Sequence, residues 1–368
     1  MFLIDRRYFR YFDWISFFLI IILSGIGLFF VFSATYKPEL PISLFFKKQS
    51  FGILSGLLIY LLCSATDFRA LMRWGYFAYF AVLGLLVFTI LKGSIGMGAQ
   101  RWVDLGFFRI QPSELTKLLF PAYATYYFYT EKDSLSFSFK QFLPVLGVLA
   151  FSFILIRKQP DLGTALVLLF SGLIIVWFAG MNKKFFLYGL LAVLITAPIT
   201  WHLLHNYQKQ RVLVFMGQGD SKKERYQIEQ SQIAIGSGGL VGKGLLKGTQ
   251  NKLQFLPESR TDFIFSVIAE EAGFLGSLFI LILFTVLFFQ FFWIIASIKS
   301  PFVQLLALGL VLPIIISTLI NIGMVTGLMP IVGIPLPFIS YGLSNLWVNF
   351  ASLGWFNAIA IRRFYWGE

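Results

Sequence analysis

Charge is what this sequence has least of. Only 13% of its 368 residues are Asp, Glu, Lys or Arg, while 58% are hydrophobic and 18% aromatic. A soluble domain carries about a quarter charged residues, so a wholly water-facing exterior is excluded. Cysteine is nearly absent as well. Cys63 stands alone, which rules out an internal disulfide or a thiolate metal cluster, and its place inside an apolar run reads as packing. The two histidines, His202 and His205, have no Cys or acidic partner at metal-ligand spacing and read as interfacial residues. From Ser300 to Ile361 there is no charged residue at all. That stretch is too long for one membrane helix, so it must hold two spans and an uncharged connection.

What is abundant is apolar sequence of membrane-crossing length. Ten such stretches recur, at about 14–35, 49–66, 74–91, 112–130, 141–156, 162–180, 185–202, 266–298, 302–325 and 340–361. The implied fold class is an all-α polytopic membrane protein, a single domain over 1–368. It has about ten transmembrane helices and a long extracytoplasmic loop, about 203–262, between helices 7 and 8. Arg6, Arg7 and Arg10 precede the first run as in a signal peptide, but the run is too long and no small-residue cleavage site follows. Lys and Arg in the short loops favour cytoplasmic N- and C-termini by a modest margin. The cations kept on the outer side against this bias suggest an anionic ligand there.

Three outer segments carry the unusual residues. In 93–120, glycines make a flexible loop, Pro112 and Ser113 start the fourth helix, and Glu114 and Lys117 share a face three residues apart. Two readings stay open: an internal ion pair, or a cavity wall to which Arg101 adds a planar fork for phosphate oxygens. In 156–168, Asp161 reads as the N-cap of the sixth span, with a role in the cavity also open. The long loop contains 222–235, whose mixed pattern suits a membrane-surface helix or a short solvated one. A glycine-rich run, GSGGLVGKGLLKGTQ, follows; it can bring backbone N–H groups to a ligand or simply be flexible. It lacks the Gly-Lys-Ser/Thr ending of a phosphate-binding loop.

Two further places concentrate polar groups in apolar surroundings. The connection 321–347 has three prolines and several glycines, so it cannot be a continuous helix. Irregular backbone at that depth must line a cavity or be covered by protein, which turns Ser340, Tyr341, Ser344 and Asn345 toward the outer cavity. The run FLPESRTDFIFSVIAEEAGFLG crowds four carboxylates at the mouth of the eighth span. Each needs a reason to be near lipid. Asp262 is either a wet carboxylate at head-group depth or the cap of the helix that follows. Glu258, after a proline in the loop, reads as a substrate-side or structural residue. Glu270 falls on roughly the face of Asp262, and Glu271 should find a partner on a neighbouring helix.

Four blocks, AQRWVDLGFFRIQPSELTK, QPDLGTA, KGTQNKLQFLPESRTDFIFSVIAEEAG and GIPLPFISYG, carry a resemblance. They resemble, in order and in register from about residue 47 to 345, the SEDS family (shape, elongation, division and sporulation; RodA, FtsW and SpoVE). FLPE and GIPLPFISYG look more like the RodA branch than FtsW. One departure is Leu343, where the family usually has the second glycine of Ser-Tyr-Gly-Gly-Ser.

The resemblance implies a peptidoglycan glycosyltransferase that polymerises lipid II at the outer face of the bacterial cytoplasmic membrane during cell elongation. The GlcNAc 4-hydroxyl of one substrate attacks the MurNAc anomeric carbon of another, undecaprenyl pyrophosphate leaves, and the configuration inverts. Such a displacement needs a general base on the attacking hydroxyl. The resemblance assigns that role to Asp262. Lys48, Arg101 and Lys117, with Arg260, are candidates for the pyrophosphate; Glu114 holds Lys117, and Asp161 and Ser340 are further substrate-side residues. A divalent cation, Mg or Mn, between pyrophosphate and carboxylates is compatible with the chemistry, although no dedicated metal motif is present. The implied partners are a class B penicillin-binding protein transpeptidase and other elongation-complex membrane proteins, and no nucleic acid. The principal alternative is a flippase or transporter of lipid-linked precursors, which predicts functional charges near the midplane and an inverted repeat. Neither is evident in the sequence. A recruiting scaffold, the third reading, leaves the outer carboxylate without a task.

Overall fold

The computed structural model describes residues 10–39, 42–96, 99–104, 106, 109–131, 139–203, 209, 213, 222–249 and 258–363. His205 and the rest of the long loop lie outside them. The described chain is predominantly helical: α1 (Trp14–Thr35), α2 (Leu44–Ala65), α3 (Phe68–Lys92), α4 (Pro112–Thr130), α5 (Phe139–Lys158), α6 (Leu162–Phe178), α7 (Lys183–Leu203), α8 (Lys222–Ser237), α9 (Ile264–Ala296), α10 (Pro301–Val325) and α11 (Leu343–Arg362). All but α8 coincide with the apolar runs read from the sequence.

On length and composition alone, six helices among the described residues can cross a membrane: α1, α2, α3, α5, α9 and α10. Among the others, α4 and α11 are less apolar for a physical reason. They carry Glu114 and Lys117, and Ser344, Asn349, Ser352 and Asn357, all buried inside the bundle. Lipid never meets these side chains, so their helices need not be uniformly apolar. Helix α10 is the most enclosed, with 72% of its apolar window buried against 28–44% in the other five.

Small residues set the closest helix approaches, as expected where lipid removes the hydrophobic drive between helices. Along the α2–α11 seam, Leu343 and Phe350 lie over Gly52 and Gly56, and Gly354 meets the Tyr60 backbone. Leu343 therefore sits in the first turn of α11 with its side chain in the space that Gly52 leaves open, and the departure from the family pattern is absorbed by packing. One core joins α1, α2, α9, α10 and α11; a second joins α3, α4, α5, α6 and the other face of α10.

Two segments differ from the sequence expectation. The stretch between α3 and α4 is not simply a flexible loop but a three-stranded antiparallel sheet, β1 (Ser94–Gly96), β2 (Ala99–Asp104) and β3 (Arg109–Ile110). Val103 pairs with Ile110 and Asp104 with Arg109. The turn is closed where the Gly106 amide, at φ 86°, donates to Asp104 Oδ1 at 2.9 Å. That bond and Arg109 hold the Asp104 carboxyl below its usual range.

The glycine-rich run neither cradles a ligand nor hangs loose. Helix α9 is broken at Gly273 (φ 68°, ψ −163°), which would strand backbone groups in an apolar interior. The glycine run supplies their partners. Lys243 N donates to Glu270 O and Gly244 N to Glu271 O, both at 3.0 Å, while Phe274 N and Leu275 N donate to Gly239 O and Leu240 O. Glycine is required at 242, where φ is +82° and a Cβ would overlap the Glu271 carbonyl. Helix α8 leads into this run and docks on the bundle instead of lying free on a surface: Ser231 Oγ donates to Val325 O at 2.7 Å and shares a hydrogen bond with Ser266.

Candidate active site

The segment 326–342 folds back against the helix ends and organises the residues singled out from the sequence. Gly27 of α1 lets the backbone of Phe338 and Ile339 approach so closely that a Cβ would overlap it. Phe338 is buried at a left-handed φ of 64°, a conformation held only by the packing around it.

Asp262 lies in the turn 258–263 that precedes α9. It stands one position before the N-cap, Phe263, so it is not itself the capping residue. Three neighbours pin the backbone of this turn. Asn321 of α10, fully buried, donates through Nδ2 to Asp262 O at 2.8 Å and to Ile334 O at 2.7 Å. Ser340 Oγ donates to Thr261 O at 2.6 Å and accepts from Leu336 N at 2.8 Å. Tyr341 N donates to Arg260 O at 2.9 Å. The side of Asp262 is met by Gly333, whose missing Cβ would stand 3.4 Å from Oδ2. Glu258 closes the turn, accepting from Thr261 Oγ1 at 3.2 Å.

Beside Asp262, Arg260 stacks its guanidinium 4.2 Å above the Phe45 ring, which meets Tyr341 edge-on at 5.2 Å. Burial pushes the Tyr341 hydroxyl above the usual phenol range, against the pull of Arg260. Lys48 is exposed on α2, about one turn from Phe45, and forms no ion pair with the described residues. Its neighbour Gln49 is buried and donates to Ser340 O at 3.2 Å.

Two polar clusters flank the same segment. In the first, Asp161 caps α6 by accepting from Thr164 N at 3.2 Å. Its carboxylate also accepts from Gln111 Nε2 at 2.5 Å and Ser113 Oγ at 3.0 Å, with Arg101 Nη1 3.9 Å away. In the second, Glu114 and Lys117 pair at 2.5 Å, both 4% exposed, and Asn345 Nδ2 donates to Glu114 at 2.8 Å. Arg101 therefore joins Asp161, not the Glu114–Lys117 pair. The clusters are adjacent nonetheless: Ser113 and Glu114 are consecutive, and Gln111 N donates to Ser344 Oγ beside Asn345. Gly163 packs on Val332 and Ile334, which ties the Asp161 cluster to the wall facing Asp262.

The remaining acids of α9 are engaged elsewhere. Glu270 accepts from Lys243 Nζ at 2.7 Å and from Thr249 N and Oγ1 at 2.8 and 2.9 Å, so it anchors the glycine run. Glu271 takes the hydroxyl of Ser33 on α1, the neighbouring-helix partner expected of it. Gln49, Gln111 and Asn321 were not legible in advance, because a neutral amide in an apolar run carries no distinguishing signal. His202 is exposed.

This arrangement holds the Asp262 carboxylate on a rigid turn, with guanidinium and ammonium groups around the same wall. The carboxylates of Glu114 and Asp161 are already occupied by protein donors. Among the described residues, no group of three His, Cys, Asp or Glu side chains is placed to hold a metal.

Comparisons with known proteins agree with this reading. The FtsW/RodA/SpoVE family profile, described as "Cell cycle protein", matches residues 13–364. Peptidoglycan glycosyltransferase MrdB of Escherichia coli K12 is 41% identical over 306 residues, 82% of each chain. MrdB of Helicobacter pylori J99 is 35% identical over 346 residues, 93% of this chain and 88% of the relative. The crystal structure of Thermus thermophilus rod shape determining protein RodA superposes with a TM-score of 0.71 at 28% identity, over 96% of this chain and 98% of that one. A chain from a peptidoglycan synthase complex that coordinates polymerization and crosslinking superposes with a TM-score of 0.82 at 29% identity, with the same coverage. The chain is a multi-pass membrane protein of the FtsW/RodA/SpoVE family.

Proposed function

We propose that this peptidoglycan glycosyltransferase polymerises lipid II at the extracytoplasmic face of the bacterial cytoplasmic membrane, with Asp262 as general base. The carrying observation is the clamp on the 258–263 turn. Asn321, Ser340 and Tyr341 fix three consecutive residues, Asp262, Thr261 and Arg260, against 326–342. A base must hold its geometry within hydrogen-bond reach of the attacking hydroxyl, and a rigid turn does so.

The chemistry follows from that placement. As the GlcNAc 4-oxygen bonds to the MurNAc anomeric carbon, its proton passes to Asp262. The bond from that carbon to the pyrophosphate oxygen breaks, and undecaprenyl pyrophosphate departs with the electron pair. Charge then grows on phosphate oxygens, where Arg101, Lys117 and Arg260, with Lys48 at the rim, act as electrostatic partners. The Nε atoms of Arg101 and Arg260 are buried without a partner among the described residues, donors that an anion would satisfy. Asp161 and the Oε2 atom of Glu114 already accept from protein donors, and among the described residues no group of three His, Cys, Asp or Glu side chains converges on a metal position, so no step is routed through a magnesium or manganese ion.

Orientation follows from chain direction. Across the short loops, the end opposite Asp262 carries twelve Lys and Arg against eight on the Asp262 side, a modest excess that supports cytoplasmic termini and an extracytoplasmic Asp262. The resemblance to a chain from a polymerization and crosslinking complex supports a class B penicillin-binding protein as partner.

The test is to incubate the purified protein and that partner with lipid II and resolve the products by size. Glycan strands from wild type and none from Asp262→Asn support the proposal. Normal strands from the Asn variant overturn the assignment of the base. Lipid movement across vesicles without polymer returns the reading to a transporter.

A further inference from the structure

The start of α2 forms a further wall of the candidate site, and Phe45 on it has no part in the chemistry above. Arg260 and Asp262 are two residues apart on the same pinned turn, yet their side chains meet different elements. Asp262 Oδ2 is approached by Gly333 of the 326–342 segment, at 3.4 Å from where a Cβ would stand. The Arg260 guanidinium instead lies 4.2 Å over the Phe45 ring of α2.

Phe45 is itself held in place. Ser43 Oγ accepts from Phe46 N at 3.1 Å and shares a hydrogen bond with Thr35 Oγ1 at 2.6 Å, which ties the first turn of α2 to the end of α1. Phe46 meets Phe32 of α1 edge-on at 5.6 Å. One turn past Phe45, Gln49 donates to Ser340 O at 3.2 Å and accepts from Gly342 N at 3.4 Å. The Phe45 ring meets the Tyr341 ring edge-on at 5.2 Å, while Tyr341 N donates to Arg260 O at 2.9 Å. Arg260 is thus gripped at both ends, its backbone by Tyr341 and its guanidinium by Phe45.

An arginine side chain has many rotamers, and ordering it around an anion opposes binding. A ring beneath the guanidinium plane orders it beforehand. The ring covers one face, so the N–H donors, which lie in the plane, keep their edge for phosphate oxygens. Lys48 follows Phe45 by three residues, on the same helical face, and is exposed. In an inverting displacement the entering and leaving oxygens stand on opposite sides of the anomeric carbon. A carboxylate serving the first and a cation serving the second belong on different walls, as Asp262 and Arg260 are.

We propose that the α2 wall is the leaving-group side of the site, with Phe45 as the positioning residue that holds Arg260 for the departing diphosphate and Lys48 at its rim. This rests on the polymerase reading above. Phe45 makes and breaks no bond. As the bond from the anomeric carbon to the pyrophosphate oxygen breaks, the electron pair leaves with that oxygen, and the guanidinium N–H groups meet the growing charge. Their contribution rises as the bond breaks, so it is read in kcat more than in KM.

The experiment measures lipid II polymerisation by the full-length protein with its class B penicillin-binding protein. It compares wild type, Phe45→Leu, Phe45→Tyr, Arg260→Gln, and Phe45→Leu combined with Arg260→Gln. Phe45→Leu keeps an apolar side chain and removes the π face, so kcat should fall about five-fold with KM little changed. Phe45→Tyr keeps the ring and should retain the wild-type kcat. Arg260→Gln should lose at least as much as Phe45→Leu. Adding Phe45→Leu to it should cost nothing further, since the ring then has no cation to hold. A packing role predicts the same Phe45→Leu loss with and without Arg260, and that result overturns the proposal. So does a wild-type kcat in Phe45→Leu or in Arg260→Gln. The outcome for Asp262→Asn is independent: a polymerising Asn variant removes the base and leaves the Phe45–Arg260 coupling standing, whereas no polymer from wild type removes both.

Discussion

Asn321 Nδ2 reaches two backbone carbonyls at once, Asp262 O at 2.8 Å and Ile334 O at 2.7 Å. One buried amide thus joins the turn that carries the carboxylate to the segment that faces it. Asn321 never needs to touch substrate to matter, because it fixes the distance between the two walls.

Asn321→Ala should therefore take the donor from the buried Ile334 carbonyl and the half-buried Asp262 carbonyl and let the Asp262 turn drift. The stability cost should be about 1–3 kcal/mol per orphaned group. A displacement near 1 Å at a reacting group costs about 10²-fold in rate. The polymerisation rate should fall by about that factor with KM little changed, and the melting temperature should drop. A variant that melted lower yet turned over at the wild-type rate would confine Asn321 to a structural role.

Gly333 offers a sharper probe of the same wall. Its φ of +74° disfavours any side chain, and a Cβ would stand 3.4 Å from Asp262 Oδ2. Gly333→Ala should cost about 1–2 kcal/mol through backbone strain alone. The added methyl also takes the place of whatever hydroxyl approaches Asp262 from that side, so polymerisation should fall more than melting predicts. Equal loss in Gly333→Ala and Asn321→Ala per degree of destabilisation would show that only folding is being read.

Much of the architecture was legible because its signals are local. The apolar runs, the i,i+3 pairing of Glu114 with Lys117 and the capping of α6 by Asp161 each depend on residues a few positions apart. What was hidden depends on residues far apart in the chain. Gln49 bonding to Ser340, Gln111 to Asp161, and Arg101 beside Asp161 and not Lys117 are consequences of how helix ends meet. The small sheet did have a local signal, an Asp-x-Gly turn between short β-prone stretches, but the glycines nearby read as flexibility. The glycine run was misread for a deeper reason. Its partner is a break at Gly273, and a broken helix inside an otherwise apolar run leaves no trace in hydropathy.

That break makes the glycine run testable. Gly242→Ala would force a Cβ against the Glu271 carbonyl at a φ of +82°, so the run should lift from α9 and expose Glu270, Glu271 and the backbone groups around Gly273. Limited proteolysis should then cut faster within 238–248 than in wild type, and hydrogen exchange at Lys243, Gly244, Phe274 and Leu275 should rise. Unchanged protection would mean that the run is held by contacts other than this ladder.

The Glu114–Lys117 pair decides whether cations near the site are structural or functional. Both side chains are 4% exposed, so removing one leaves a buried charge. Lys117→Met should destabilise by about 3–5 kcal/mol, whereas Lys117→Met combined with Glu114→Gln should recover much of that loss, since a buried pair replaced by neutral groups is often near neutral. Asn345, which donates to Glu114 at 2.8 Å, can still bond to the glutamine carbonyl. If Lys117 serves only to neutralise Glu114, polymerisation should recover together with the melting temperature. If its ammonium stabilises charge on the departing pyrophosphate, the double variant should fold well and still polymerise slowly, with the loss mainly in kcat, because the interaction strengthens as the bond breaks. The site geometry favours the second outcome, since Lys117 lies on the helix whose neighbouring Ser113 joins the Arg101–Asp161 cluster. Measuring melting temperature and lipid II turnover on the same three preparations separates the two.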